Sequence, residues 1–211
     1  MKLGQLLQSP AFTDEFERLR RDLGARHIAV TGAHGAEGVT SVAASLACSL
    51  SGMGRVLLAE GNLRKPSLAT ELGLKGCGLR DWDLQGPLPT QAMPGHPEVA
   101  VLTAGKSGAT LNAVDALSLQ ARLGAAAQRA REDFAYVVWD TPAATRFPDL
   151  LAVARHCDGV LVVIEMDRSR VDGLHYLRDT LERARVPILG SVLNRSGRYW
   201  PPQTRYPPAA L

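Results

Sequence analysis

The chain has few cysteines and no long apolar run. Cys48, Cys77 and Cys157 stand far apart, match no CxxC zinc or redox spacing and leave an odd number for disulfide pairing, which favours a reducing cytosol. No apolar stretch approaches the roughly 18 residues that a membrane span requires. The opening MKLGQLLQSPAF is too short and too polar for a signal peptide. The expectation is a cytoplasmic chain whose membrane contact is indirect. Charge imbalance is also missing from the body: Arg195, Arg198 and Arg205 lie in a closing segment without an acid, which leaves 21 basic against 21 acidic residues elsewhere. That balance gives no basic surface for nucleic acid. No Ser/His/Asp or Cys/His arrangement occurs, and His156 and His175 have no second ligand at metal spacing. There is no internal repeat and no linker, so 211 residues with 45% apolar content read as one domain with a sizeable core.

What the chain does contain is a succession of short, unalternating apolar runs: HIAVTG, RVLLAE, VAVLTAG, YVVWD, GVLVVIE and VPILGSVLN. Runs without alternation are strands buried on both faces. Helical stretches separate them, at Val39 to Gly52, Pro66 to Leu72, Leu117 to Asp133, Pro148 to His156 and Ser169 to Arg185. Strands alternating with helices imply crossover connections, a mostly parallel sheet and a three-layer α/β sandwich. Ahead of them, Phe16, Leu19 and Leu23 recur at helical spacing while Glu15, Arg18 and Arg21 follow at intervals of three, as in an amphipathic helix with a charged stripe. Residues 1–26 are thus expected to hold an interaction helix, 27–194 the α/β domain, and 195–211 a flexible tail with two Pro-Pro pairs. Trp139, within a strand, reads as core; Trp82, in LRDWDL, reads as packing a surface loop.

The stretch IAVTGAHGAEGVTSVAASLA runs from a buried strand through a glycine-rich turn into a helix. Such a turn points several backbone N–H groups and the positive end of the helix dipole at one anion. In G-x-x-x-x-G-K-[ST] the lysine reaches the outer phosphates and the hydroxyl holds magnesium. Here Ala33 takes the first position, Gly38 fits, Val39 replaces the lysine and Thr40 keeps the hydroxyl.

Two further stretches add to this. RVLLAEGNLRKPSL and YVVWDTPAA resemble, in order and spacing, elements of the bacterial tyrosine kinases of capsule and exopolysaccharide synthesis, and EFERLRRDL resembles their E-x-x-R-x-x-R helix. The resemblance runs over about residues 12 to 195 and extends to the partition and division-site ATPases of the same deviant P-loop (SIMIBI-like) superfamily. It implies a P-loop NTPase fold, with ATP or ADP bound by Gly35, Ala36, Glu37, Gly38, Thr40, Ser41 and, through adenine, Asn194. Magnesium would be held by Thr40 and Asp140, the latter through water. It also implies ring-building contacts through Glu15, Arg18 and Arg21, mutual phosphorylation of tail tyrosines, here Tyr199 and Tyr206, and work alongside a membrane polysaccharide co-polymerase supplied as a separate chain.

The departures fall on the chemistry. Besides Val39, the acidic pair that holds metal and accepts a proton is represented by Glu60 and Asn62, and asparagine cannot be a general base. Asp140 and Glu60 remain as the degenerate catalytic set. Phosphoryl transfer rests on positioned charge, so nucleotide binding with weakened affinity is expected to outlast turnover. For a replacement cation there are His34, a loop residue only partly charged near neutral pH, and Arg64 and Lys65 after the acidic pair; Arg64 also reads as a structural arginine paired with a carboxylate. Three functions follow. The first is a degenerate tyrosine-kinase-like regulator or scaffold in exopolysaccharide assembly, homo-oligomeric and peripheral at the inner membrane face through its partner. The second is an active tyrosine autokinase or ATPase that uses unusual residues. The third is a positioning ATPase of the partition class, for which the balanced body and the proline-rich tail offer neither a basic surface nor an amphipathic closing helix.

Overall fold

The computed structural model describes residues 10–105, 113–145, 147 and 149–195. The tail with Tyr199 and Tyr206 lies outside them. Thirteen regular elements are used below: α1 (Pro10–Leu23), β1 (His27–Gly32), α2 (Val39–Leu50), β2 (Val56–Glu60), α3 (Leu68–Leu72), β3 (Gln91–Met93), β4 (His96–Leu102), α4 (Ala113–Asp133), β5 (Tyr136–Asp140), α5 (Asp149–Ala154), β6 (Gly159–Glu165), α6 (Val171–Arg183) and β7 (Ile188–Asn194). The strands form one sheet in the order β3-β4-β2-β5-β1-β6-β7, parallel except for the β3–β4 pair.

Alternating residues of each central strand enter opposite cores, which makes three layers. Ile28, Val30, Leu58, Val101 and Val163 pack with Phe16 of α1, Leu46 and Leu50 of α2 and Leu68 of α3. Ala29, Leu57, Trp139 and Val162 pack with Leu123 of α4, Leu150 of α5 and Leu177 of α6. All six residues of β1 are buried, as its apolar run requires. Burying one such large side chain contributes about 1.5–3 kcal/mol, so the two cores dominate the stability of the sheet.

Trp82 opens the irregular, largely exposed segment 82–90 and packs beneath it as expected: its ring lies in the second core at 6% exposure, and its indole N–H donates to the Gly86 carbonyl at 3.0 Å. A strand not marked by any apolar run, β3, folds back on β4 as a hairpin around Pro94 and Gly95, and Gly95 has φ 81°. Among the described residues no helix is long and apolar enough to cross a membrane.

Candidate functional site

The carboxyl ends of β1, β2 and β5, neighbours at the sheet centre, bring the loop 33–38, Glu60 and Asp140 together. Ligands of open α/β sheets bind at this edge, where successive connections leave in opposite directions. The loop needs its glycines: Gly35 (φ 94°) and Gly38 (φ 89°) are left-handed, with Ala36 (φ 65°) between them. Gly38 caps α2, and a Cβ there would stand 2.2 Å from Asn194 Nδ2.

Val39 occupies the lysine position as part of the apolar packing under α2, its Cγ2 3.3 Å from where a Cβ on Gly32 would lie. Of the candidate replacement cations, Arg64 forms a forked pair with buried Asp149 (2.7 and 3.3 Å) and stacks 5.0 Å from the Phe147 ring centroid. That is the structural arginine of the second reading. His34 is half-buried rather than free in solvent, and its ring rests where a Cβ on Gly173 of α6 would be. Lys65 is exposed. The cation that the structure does bring to the loop is one the sequence reading assigned to the tail: Arg195 Nη1 donates to Ala36 O at 3.3 Å and to Glu165 Oε1 at 2.6 Å. No local signal singles it out beyond its place next to Asn194.

Asp140 is 4% exposed and accepts a hydrogen bond from Thr40. Burial pushes its carboxyl up to about 7; the Thr40 bond works against that, and the nearby Glu60 and Glu71 charges add to it. Glu60, also buried, has both oxygens engaged by the backbone, Oε1 accepting from Ser67 N (2.6 Å) and Leu68 N (2.9 Å) and Oε2 from Ala104 N (2.9 Å). It braces the turn into α3 and the end of β4. Asn62 Oδ1 accepts from Lys65 N at 3.2 Å, closing a local turn.

Glu37 is 2% exposed and folds back into its own loop, where Oε2 accepts from His34 N (3.2 Å) and Gly35 N (3.4 Å) and Oε1 from the Ser169 hydroxyl. Asn194 donates its side-chain amide to the Glu37 carbonyl at 2.8 Å. The structure thus turns two predicted nucleotide ligands, Glu37 and Asn194, toward each other. The oxygens of Thr40 and Asp140 suit a hydrated magnesium ion. In the folded loop the Glu37 carboxylate takes two of the amides, those of His34 and Gly35, and leaves the others of the turn to a phosphate. Far from this edge, Glu15, Arg18 and Arg21 are exposed on α1, whose opposite side buries Phe16, and form no ion pair among the described residues.

No protein-family model and no curated protein matches the chain. Among solved structures it is similar to the chimerical protein CapA2B2, at 20% identity over 89% of this chain and 86% of that one with a TM-score of 0.76. The kinase domain of the Escherichia coli tyrosine kinase ETK aligns at 23% identity over 80% and 67%, with a TM-score of 0.70. The septum site-determining protein MinD from Pyrococcus horikoshii, complexed with Mg-ADP, aligns at 21% identity over 84% and 74%, with a TM-score of 0.65. These likenesses show the fold, a three-layer α/β sandwich around a mostly parallel sheet.

Proposed function

We propose that this P-loop chain is a catalytically degenerate relative of the tyrosine kinases, acting as a cytoplasmic regulator or scaffold for a membrane polysaccharide co-polymerase in exopolysaccharide assembly. The observation that carries the reading is Val39: an apolar side chain packed under α2 stands where the cation of the phosphate site belongs. Removing one preorganised stabiliser of a transferring group costs on the order of a hundred- to a thousandfold in rate, about 3–4 kcal/mol. Asn62, tied to Lys65 N, supplies no proton acceptor.

Binding is separable from turnover. The loop amides and Asn194 would hold ADP or ATP, and Thr40 and Asp140 would orient a hydrated magnesium ion, which supplies charge neutralisation when bound. Without the lysine, the outer phosphates are held weakly. Glu15, Arg18 and Arg21, exposed along one side of α1, would meet a second copy of the chain, so that nucleotide biases assembly against the partner.

The test is incubation of the purified chain with radiolabelled ATP and magnesium. No label on Tyr199 or Tyr206 is expected. Label that disappears in Asp140→Ala would overturn the degenerate reading in favour of an active autokinase.

A further inference from the structure

The loop 33–38 has the shape of an anion seat, with successive left-handed residues turning backbone N–H groups to one side. The anion found in it belongs to the chain. A Cβ on Gly32, at the root of the loop, would stand 1.8 Å from Glu37 Oε2, so the carboxylate fills the space against Gly32 and takes the His34 and Gly35 amides from there. A carboxylate and a phosphate oxygen compete for the same donors. The two amide contacts, at 3.2 and 3.4 Å, are long beside the roughly 2.7–2.9 Å of a well-made charge-assisted bond. The closer contact is from the Ser169 hydroxyl, which also accepts from Glu165 N at 3.0 Å. Ser169 therefore joins the loop to the turn between β6 and α6. The His34 ring, seated over Gly173 of α6, and Arg195, bridging Ala36 O and Glu165, hold the same two segments together.

The geometry points to Glu37 as a resident occupant of the phosphate seat, latched by Ser169, so that a nucleoside diphosphate or triphosphate binds by displacing this carboxylate and breaking one of the ties between the loop and the β6–α6 turn. This rests on the reading of residues 33–38 as a phosphate seat. It adds a competitor to the loss of the lysine as a cause of weak binding, and a mechanical consequence, because a ligand that expels Glu37 also frees Ser169.

Calorimetric titration of the full chain with Mg-ADP, alongside Glu37→Ala and Ser169→Ala, tests it together with amide NMR spectra of the unliganded proteins. Glu37→Ala is expected to bind about tenfold more tightly than the parent, a difference of about 1.4 kcal/mol, and Ser169→Ala to fall between them. The His34 and Gly35 amide resonances should move in Glu37→Ala without ligand. Equal affinities with unmoved amides overturn the displacement and leave the seat standing. Absence of Mg-ADP binding in all three proteins overturns the seat itself, and the displacement with it. Should Glu37→Ala fail to fold, Ser169→Ala decides alone, since it leaves every loop amide in place: tighter binding upholds the latch and unchanged affinity removes it.

Discussion

The side-chain amide of Asn194 donates to the carbonyl of Glu37 at 2.8 Å, stapling the end of β7 to the loop 33–38 across 157 positions of sequence. The same amide occupies the space a side chain at Gly38 would need.

From this crowding follows a coupling. Gly38→Ala meets both a left-handed φ and Asn194, so its cost in urea unfolding should be about 1–3 kcal/mol in the parent. Asn194→Ala removes one obstacle, and the double variant should therefore be more stable than the sum of the single changes by on the order of 1 kcal/mol. Strict additivity would mean that the two residues do not touch.

Glu60 satisfies three backbone N–H groups, those of Leu68 and Ala104 buried and that of Ser67 partly so. Glu60→Ala should lower stability by about 3 kcal/mol or more, because each buried donor left without a partner costs about 1–3 kcal/mol. A change below about 0.5 kcal/mol in chemical unfolding would contradict the bracing role.

The buried Asp140 carboxyl, raised to about 7 from an ordinary 3.8, gives a signed pH dependence. Between these values the folded chain keeps a proton that the unfolded chain has released, so this group's contribution makes stability fall as pH rises through the window. His27, lowered by burial, acts oppositely and loses stability as pH falls through its unfolded value of 6.5. Comparison with Asp140→Asn isolates the first effect: the stability of the parent relative to the variant should decline from about pH 4 to pH 7, by on the order of a few kcal/mol. A pH-independent difference would sink this assignment.

Exposed and buried sides of α1 should separate assembly from folding. Replacing Glu15, Arg18 and Arg21 together by alanine should leave the unfolding midpoint nearly unchanged and lower the mass measured by light scattering. Phe16→Ala, in the core at 6% exposure, should cost about 3–5 kcal/mol. An unchanged mass in the triple variant removes the interface from the account.

The sheet was legible because strands such as HIAVTG and GVLVVIE are buried on both faces and so cannot alternate. Helix ends shifted by a few residues, as in α5, expected from Pro148 to His156 and found as Asp149–Ala154. The β3–β4 hairpin was not legible although Pro94 and Gly95 mark a turn, because β3 is only three residues long and forms no apolar run. At the site, the glycine spacing marked the loop and Thr40, the resemblance of YVVWDTPAA singled out Asp140, and the fold sets Asp140 in hydrogen-bonding contact with Thr40. The orientation of Glu37 could not: its hydroxyl partner, Ser169, lies 132 positions away, and only the packing of β6 beside β1 brings the two together. The role of Glu60 was hidden for the same reason, since Ala104 reaches it from another strand end.

The most direct test is the rate of γ-phosphate release from Mg-ATP by the unmodified, contaminant-free chain, set beside Val39→Lys combined with Asn62→Asp. The parent should show no magnesium-dependent release above background, whatever nucleotide it binds. Sustained release by the parent that is lost in Asp140→Ala would contradict the account.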